Sequence, residues 1–469
     1  MSVYQQYLKE NKDRAYPMYG YSPPPQGKWW IDDTEYLTED FRTVEKYREY
    51  KDCGFNILFM QGTASFDGTD WENSDTKRCM QYAVEAGLDK VIIVDQRIFD
   101  LSLIQGGIIG EGKPFASEAE LDAFIANCLK DYRHEKGFYG VQLRDEPFHP
   151  YLKTIGQLYR SLHRVDPSVF VHCNLNPLHG SLTYSICVQQ KNLVETYEHY
   201  LATFLEETGT NHIMMDTYPF FRTPDKSHIG RYYFAGLECV ARVCKRYGVE
   251  MHIVMQSFAM DIRNKHYHRM PSEREMQFQK NVLLAFGVKQ YSYFTYWTKQ
   301  MNRTDGEMFI DGKALMTRNG EKTKSWYHVQ KINNELQKLA PLMWDFEYCT
   351  NAFFVKIPFC TAPTYLELIR GGELSNVSVD TDREVVMVTE QYDKKRKQYM
   401  YCAVNTTDIQ RYKKKYKNEK QITQLTFHKE YNVADVYAKG VWKTVALENG
   451  KLQVGLTPGE GIIILPYKE

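Results

Sequence analysis

The chain has no excess of charge of either sign and no long apolar run. Lysine plus arginine and aspartate plus glutamate both number 59 in 469 residues, so the formal net charge is zero. Nucleic acids and anionic membranes attract a basic excess, so the balance argues against either as a partner. No apolar run approaches the roughly 18 residues that a membrane-spanning helix needs. Residues 1–10 lack the basic start and apolar middle of a signal peptide, so we expect a cytoplasmic protein.

Motifs for metals, nucleotides and serine nucleophiles are also missing. The ten cysteines form no CxxC pair and no zinc-type spacing. Several stand in apolar segments, as Cys173 and Cys402 do, which is typical of a reduced protein with buried thiols. No HExxH, Walker loop, dinucleotide fingerprint or GxSxG sequence occurs. We therefore expect neither a metal nor another cofactor.

Short apolar runs alternate with amphipathic helical stretches up to about residue 340. The strand candidates are residues 16–21, 54–60, 90–95, 138–143, 169–173, 212–216, 250–255 and 290–295. Helical patterns lie between them at residues 41–51, 76–86, 118–134, 152–164, 193–207, 232–247 and 273–286. This alternation predicts a parallel sheet, and its length suits an (α/β)8 TIM barrel. A doubly wound sheet is the alternative, but it usually has a glycine-rich first loop, whereas residues 22–25 read Ser-Pro-Pro-Pro.

The pattern changes after residue 342. Short strands joined by turns are predicted at residues 351–357, 365–369, 384–388, 398–402, 422–427, 433–437, 441–445 and 461–465. Such a series is typical of an all-β sandwich. We therefore expect a TIM-barrel catalytic domain over residues 1–342 and a C-terminal β-sandwich domain over residues 343–469.

Polar and aromatic side chains stand at nearly every predicted strand end, where barrels of this kind form their active sites. From the second strand to the eighth they are Gln61, Asp95 with Arg97, Asp145 with Glu146, Asn174, Asp216 with Tyr218, Gln256, and Tyr296 with Trp297. Planar hydrogen-bonding groups beside aromatic faces suit sugars, so we expect a carbohydrate ligand. Trp297 is the candidate platform under a sugar ring, with packing at the barrel top as the alternative. Gln61, Asp95, Arg97, Asn174 and Gln256 are candidates for binding sugar hydroxyls, and Asp216 is a candidate either for binding a sugar hydroxyl or for acting as a catalytic base.

The most informative segment is residues 141–147, Val-Gln-Leu-Arg-Asp-Glu-Pro. Adjacent buried carboxylates raise each other's pKa and lose hydration, so Asp145 and Glu146 call for a chemical role. The alternative is that they cap the next helix. Alternate strand residues face opposite sides, so both can face the mouth only where the strand ends. Pro147 predicts an extended backbone for Glu146.

Two catalytic schemes suit these residues. In the first, Glu146 is the proton donor and Asp216 the nucleophile or base, as in glycosidases with two carboxylates. In the second, the acetamide oxygen of a 2-acetamido sugar attacks the anomeric carbon while Glu146 acts as acid and then base. Asp145 would then accept the acetamide N–H, and Tyr218 or Tyr296 would hold the acetamide oxygen. A non-catalytic carbohydrate-binding barrel is a third possibility.

Three segments resemble bacterial barrel glycoside hydrolases: the Asp-Glu-Pro sequence, residues 215–219 (Met-Asp-Thr-Tyr-Pro) and residues 285–297, which end in Phe-Thr-Tyr-Trp. The adjacent Asp-Glu pair is similar to that of the β-N-acetylgalactosaminidases of glycoside hydrolase family 123. This resemblance implies substrate-assisted, retaining catalysis by Asp145 and Glu146. It also implies an enzyme that releases a terminal β-linked N-acetylhexosamine, with N-acetylgalactosamine as the first candidate. A β-galactosidase-like enzyme using Glu146 and Asp216 remains the second choice. Barrels and exposed sandwich faces often associate with a second copy of the same chain, so the protein is a candidate for a homo-oligomer.

Overall fold

A parallel eight-stranded barrel forms the larger part of the molecule. The computed structural model describes residues 2–31, 34–179, 181–222, 227–262, 266–298, 307–309, 314–354, 374–381, 386–409 and 420–469. The barrel strands are β1 (Met18–Gly20), β2 (Leu58–Phe59), β3 (Val91–Ile93), β4 (Phe138–Asp145), β5 (Phe170–Leu175), β6 (His212–Thr217), β7 (Glu250–Gln256) and β8 (Gln290–Phe294). Their spatial order follows the chain from β2 to β8, with β1 beside β8. The predicted (α/β)8 barrel is confirmed.

The two ends of this sheet, β1 and β2, meet in a short seam. The backbone N–H of Ile57 donates to the carbonyl oxygen of Met18 at 3.1 Å. The hydroxyl of Tyr50 lies 2.6 Å from the nitrogen of Gly20 and 3.2 Å from the carbonyl oxygen of Ile57. One buried side chain therefore bonds to the chain on both sides of the seam and helps to close the barrel.

The helices are α1 (Val3–Glu10), α2 (Val44–Asp52), α3 (Asp75–Glu85), α4 (Gln96–Leu101), α5 (Glu118–Lys130), α6 (Leu152–Val165), α7 (Ser181–Ile186), α8 (Leu193–Thr208), α9 (Tyr233–Tyr247), α10 (Glu273–Ala285) and α11 (Lys324–Met343), with a 3₁₀ turn at His149–Tyr151. Seven of them agree with the predicted positions, whereas α1, α4, α7 and α11 were not predicted. Asn192 caps α8 by accepting the N–H of Glu195, and Gly209 ends it in a left-handed conformation. Within the described part of the chain, no helix is long and apolar enough to cross a membrane.

The interior of the barrel is packed rather than hollow. Its inward-facing core contains Tyr19, Tyr21, Ile57, Phe59, Ile92, Met214 and Val254. Above it, the His172 ring stacks on Phe59 with a centroid distance of 4.2 Å and contacts the Tyr19 hydroxyl at 2.9 Å. Burial lowers the pKa of His172 to about 3, so this imidazole is neutral at physiological pH. The packed interior gives the barrel mouth an uncharged aromatic floor.

A small antiparallel sheet stands at the C-terminal ends of three barrel strands. It contains the short strands Phe220–Arg222, Ser227–Ile229, Met260–Ile262, His266–His268 and Glu307–Phe309, which follow β6, β7 and β8 in the chain. A hairpin of Lys28–Ile31 with Thr34–Leu37 follows β1. None of these strands was predicted from the sequence. They build the rim of the barrel on the side of β6, β7 and β8.

The C-terminal part forms two antiparallel sheets. Its strands are β9 (Glu347–Phe354), β10 (Val377–Thr381), β11 (Val386–Asp393), β12 (Gln398–Asn405), β13 (Gln421–Phe427), β14 (Val433–Ala438), β15 (Val441–Ala446), β16 (Lys451–Leu456) and β17 (Gly461–Tyr467). The order is β9-β11-β12-β17-β14-β15 in the larger sheet and β10-β13-β16 in the smaller. Val388 and Tyr401 of the larger sheet share a core with Leu425 and Leu452 of the smaller one, as in a sandwich. The strand predicted at residues 365–369 lies outside the described residues.

Buried polar contacts join the sandwich to the barrel. The side chain of Gln391 on β11 donates to the carbonyl oxygen of Leu284 at 2.8 Å. The hydroxyl of Tyr348 on β9 donates to the carboxyl group of Glu238, which α9 carries into this contact. Burial raises the pKa of Glu238 to about 7, although the Tyr348 hydrogen bond opposes the shift. Glu238 is thus a titratable group in the contact between the two parts, on a helix rather than at a strand end.

Candidate active site

Six of the predicted site residues come together at the barrel mouth. The Nδ2 atom of Asn174, at the end of β5, lies 3.1 Å from Oδ1 of Asp145 and 2.9 Å from Oδ1 of Asp216. Gln61 places its side-chain nitrogen 3.5 Å from the other oxygen of Asp145. Asp216 also shares hydrogen bonds with Glu146 and Tyr218. The ends of β2, β4, β5 and β6 therefore build one acidic cluster.

The backbone of Glu146 explains how two adjacent residues reach the same cluster. Its φ is +47°, in the left-handed region, so the predicted extended conformation is wrong. Regular strand geometry would send Asp145 and Glu146 to opposite sides, and the left-handed residue breaks that alternation. Such a conformation costs on the order of 1–3 kcal/mol in a residue with a side chain, and strain of this kind concentrates at functional sites.

The surrounding structure holds this turn in place. The N–H of Glu146 donates to the carbonyl oxygen of Asn174 at 2.8 Å. The carbonyl oxygen of Pro147 accepts from the Tyr200 hydroxyl at 2.6 Å and from the Asn176 side chain at 3.1 Å. The side chain of Glu146 is exposed, and that of Asp145 is half-buried. Glu146 is therefore accessible from the mouth while its backbone is fixed from below.

Asp216 is the most buried acid of the cluster, with 2% of its surface exposed. Burial raises its pKa to about 7, and the nearby charge of Asp145 adds to the rise, while the hydrogen bonds from Asn174 and with Glu146 oppose it. Burial also keeps the pKa of Tyr218 well above its ordinary value, so this phenol stays protonated. The cluster thus combines an exposed acid, a half-buried acid and a buried acid that takes up a proton near neutral pH.

Aromatic rings line the same part of the mouth, and one of them was missed in the sequence. The rings of Tyr218 and Phe294 are 5.6 Å apart, and both side chains are half-buried. Phe294 also contacts Tyr21 at 5.8 Å and Phe258 at 5.1 Å. Alternate residues of β8 face the same side of the sheet, so Phe294 lies on the same side as Ser292. This alternation could have identified Phe294 from the sequence. It offers the partly exposed aromatic face that was expected of Trp297.

Asp95 and Arg97 are near a strand end but are occupied with each other. Asp95 is fully buried and receives Arg97 at 2.7 Å and the Tyr132 hydroxyl at 2.8 Å. It also caps α4 by accepting the N–H of Arg97. The second arm of Arg97 pairs with Asp131 at 2.9 Å. The prediction that this pair binds sugar hydroxyls does not fit these contacts, because its polar atoms already have internal partners.

Gln256, Tyr296 and Trp297 are likewise engaged by partners other than the acids. The side-chain amide of Gln256 hydrogen-bonds to backbone atoms of Phe220, Phe258 and Arg269. It therefore joins the segments that follow β6 and β7. Tyr296 is fully buried against Tyr50 of α2, and Trp297 is 1% exposed beneath Phe41. In this packing neither Tyr296 nor Trp297 has a face free for a sugar. Trp297 therefore fits the alternative given for it, which was packing at the barrel top.

No cluster of three or more histidine, cysteine, aspartate or glutamate side chains is arranged to bind a metal ion among the residues that the structure describes. The described carboxyl, amide and phenol groups can supply proton transfer, hydrogen bonding and carboxylate electrostatics, which are means of general acid–base catalysis.

The fold places the chain among the (α/β)8 barrels with a C-terminal β-sandwich. A glycoside hydrolase family 5 structure from Bacteroides vulgatus ATCC 8482 matches with a TM-score of 0.51 at 11% identity, covering 97% of this chain and 89% of that one. A second structure, described as a glycoside hydrolase, matches with a TM-score of 0.50 at 10% identity, covering 97% and 93%. No protein-family model matches the chain, and no curated protein matches its sequence. At these identities the likeness shows the fold, and membership of family 123 stays a prediction.

Proposed function

We propose that the protein is a glycoside hydrolase that releases a terminal β-linked N-acetylhexosamine, with N-acetylgalactosamine the first candidate. The acetamide oxygen of the substrate would be the nucleophile. The observation that carries this proposal is the joint presence of Asp145 and Glu146 in one cluster at the mouth, made possible by the left-handed backbone of Glu146. The two matched structures described as glycoside hydrolases share the barrel that presents this cluster.

The roles follow from exposure and hydrogen bonding. Glu146, exposed at the mouth, protonates the departing glycosidic oxygen and later removes a proton from the incoming water. Asp145 accepts the acetamide N–H and stabilises the positive charge that develops on the oxazoline-like intermediate. Asn174 and Gln61 hold the Asp145 carboxyl group in position. Tyr218, kept protonated by burial, would release its hydrogen bond with Asp216 and donate its hydroxyl to the acetamide oxygen.

The half-buried rings of Tyr218 and Phe294 suit the rest of the acetamido group. A methyl group gains free energy when it leaves water for an aromatic wall, about 0.8 kcal/mol for a fully buried carbon. Such a wall beside Asp145 would distinguish a 2-acetamido sugar from a 2-hydroxy sugar. The same rings would pack against the apolar face of the pyranose.

Two contacts argue against the two-carboxylate scheme with Glu146 and Asp216. A hydrogen bond joins these groups, so the two carboxyl groups are in contact. Retaining enzymes separate their two carboxyl groups by about 5–5.5 Å, and inverting enzymes by about 6.5–9.5 Å. The end of β7 offers no substitute, because Gln256 stands there and is bonded to backbone.

A panel of nitrophenyl glycosides tests the proposal. Turnover of the β-N-acetylgalactosaminide or β-N-acetylglucosaminide, inhibition by a thiazoline analogue of the intermediate, and no turnover of the plain β-galactoside are expected. Turnover of the plain galactoside without thiazoline inhibition would instead favour the two-carboxylate enzyme. Binding of N-acetylgalactosamine with no turnover of any member of the panel would favour a non-catalytic barrel.

A further inference from the structure

An aromatic side chain close to the acid cluster is left in solvent. Phe148, two residues after Glu146, is 46% exposed. Two residues of chain span at most about 7 Å, so Phe148 stands close to the acid that is exposed at the mouth. A sugar joined to the glycosidic oxygen at Glu146 would therefore lie within reach of the Phe148 ring. No step of the proposed mechanism uses this ring.

The backbone around Phe148 is held by hydrogen bonds on both sides. The carbonyl oxygen of the preceding Pro147 accepts from the Tyr200 hydroxyl at 2.6 Å. The carbonyl oxygen of Phe148 itself accepts from the N–H of Tyr151 at 2.9 Å. The Tyr151 ring is held in turn by the Arg144 guanidinium, 5.0 Å from its centroid. An aromatic ring on a fixed backbone loses less freedom when a ligand binds to it.

The Phe148 side chain faces away from the helices. Its backbone is extended, with φ −78° and ψ 159°, and successive side chains of an extended chain point to opposite sides. Pro147, before it, is buried, and the ring of His149, after it, stacks on His199 of α8 at a centroid distance of 6.1 Å. The Phe148 ring therefore points away from α8 and into solvent at the carboxyl end of β4.

Other exposed apolar side chains share this end of the barrel. Among the residues that the structure describes, ten large apolar side chains are exposed, and six of them lie in connections that leave the carboxyl end of a barrel strand. They are Tyr36 and Leu37 after β1, Leu103 after β3, Phe148 after β4, and Tyr184 and Val188 after β5. Apolar surface that is concentrated in one region of a soluble protein marks a binding surface. Of these six side chains, Phe148 stands next to a proposed catalytic residue.

We propose that Phe148 forms a leaving-group subsite, in which its ring packs against the sugar next to the terminal N-acetylhexosamine. The inference rests on the proposed function for the sugar that is released, and it makes the substrate a glycan. The position beside Glu146 decides the occupant, because the group that takes the proton from this acid is the leaving group. The C–H groups on one face of a pyranose form an apolar patch, which suits the flat face of an exposed phenylalanine.

The first experiment compares two substrates that differ only in the leaving group. One is the β-fluoride of N-acetylgalactosamine, and the other is the disaccharide in which N-acetylgalactosamine is β-linked to galactose. F148A should lower kcat/KM for the disaccharide by about 5–10-fold, as loss of an aromatic contact does, and leave that for the fluoride unchanged. F148L should behave like F148A, whereas F148Y should retain the wild-type value because it keeps the ring.

Tyr247 provides a matched control for this comparison. It is also an exposed aromatic residue, at 38%, but it ends α9 and precedes β7, so it lies at the opposite end of the barrel. Y247A should leave kcat/KM for both substrates unchanged.

Three results would overturn the proposal. Equal losses on both substrates in F148A would show that Phe148 supports the Glu146 turn and contacts no leaving group. Unchanged values for both substrates would show that its ring makes no contact with the glycan. A loss of the same size with the octyl glycoside of N-acetylgalactosamine would show that the ring serves any apolar leaving group rather than a sugar.

The second experiment needs no turnover. The protein carries E146Q, so that the disaccharide is not cleaved, together with Phe148→4-fluorophenylalanine. The fluorine NMR resonance should shift when the disaccharide is added and should stay in place with N-acetylgalactosamine alone. Galactose disaccharides with terminal β-linked N-acetylglucosamine or galactose are added in the same way.

Together the two measurements separate this inference from the proposed function. Turnover of N-acetylhexosaminides without a fluorine shift for any disaccharide would refute the subsite and leave the proposed glycosidase standing. A shift with the digalactoside, in a protein that turns over no N-acetylhexosaminide, would refute only the proposed function. Neither turnover nor a shift would refute both.

Discussion

The Nδ2 atom of Asn174 lies 2.9 Å from Oδ1 of Asp216, and the same nitrogen lies 3.1 Å from Oδ1 of Asp145. A primary amide has two N–H bonds, so one side chain can donate to both carboxyl groups at once. Asn174 is buried on β5, between the strands that carry the two acids. It therefore sets the distance between Asp145, the acid proposed to orient the acetamide, and the buried Asp216.

Asn174→Ala should remove this bridge. We expect kcat/KM for the nitrophenyl β-N-acetylgalactosaminide to fall by about 10–100-fold, because a small displacement of positioned catalytic groups has that effect. The thermal midpoint should fall as well, since the buried Asp216 and the half-buried Asp145 each lose a donor. Asn281→Ala is the matched control, because that amide donates to the carbonyl oxygen of Gly459 at 2.9 Å, away from the mouth. A control that lost as much activity as Asn174→Ala would show that the effect is general destabilisation.

Glu146→Gln and Asp145→Asn should fail in different ways. Glu146→Gln removes the proton donor, so poor leaving groups should slow far more than activated nitrophenols. Asp145→Asn should lower kcat by about 100-fold or more on every leaving group, because the acetamide loses its anionic partner. Circular dichroism should show an unchanged fold in both variants. Activity of Asp145→Asn close to that of the wild type would rule out its proposed role.

Substitution of Phe294 should affect KM, whereas substitution of Trp297 should affect stability. Phe294→Ala should raise KM for N-acetylhexosaminides by about 10-fold, since it removes an apolar wall beside the proposed acetamide site. Trp297→Phe should leave KM unchanged and lower the free energy of unfolding by about 1–3 kcal/mol, since Trp297 packs beneath Phe41. Initial rates and urea denaturation measure the two effects. A large rise in KM for Trp297→Phe would restore the platform role first given to it.

Glu238→Gln should change the pH dependence of stability. Burial raises the folded-state pKa of Glu238 from 4.5 to about 7, so the folded state binds this proton more tightly than the unfolded state does. The resulting stabilisation is complete below the unfolded pKa and is lost as pH rises through the folded value. Wild type should therefore lose stability relative to Glu238→Gln between these pH values, by on the order of 2–3 kcal/mol. Thermal midpoints of both proteins at several pH values check this, and parallel curves would contradict it.

The barrel was predictable because its signals are local and repeated. Each strand such as Phe170–Leu175 is an apolar run followed by a helical pattern, and chain order alone then fixes the spatial order of the strands. Polar residues at the carboxyl ends of those strands follow from the same rule, which is how Asp145, Asn174 and Asp216 could be found together. The short strands of the antiparallel sheet after β6, β7 and β8 were missed because strands such as Met260–Ile262 are only three residues long.

The failures concern side-chain direction and internal pairing. Arg97 turns back on Asp95, and Tyr296 turns outwards against α2, and neither choice is encoded in strand periodicity. The amide of Gln256 is directed to backbone atoms of two loops whose course depends on the whole rim. The left-handed backbone of Glu146 opposes the local preference that Pro147 imposes, so tertiary contacts decide it.

The seam between β1 and β2 has a consequence for how the barrel yields to heat. Its strands are three and two residues long, and the Tyr50 hydroxyl bridges them at Gly20 and Ile57. In a ring of eight strands this line lies across from β5 and β6, which carry Asn174 and Asp216. Local opening favours regions with few hydrogen bonds, so the amide protons of Gly20 and Ile57 should exchange with solvent early. The barrel would then open first on the side opposite its acids. Catalytic activity would therefore persist after this seam has begun to open.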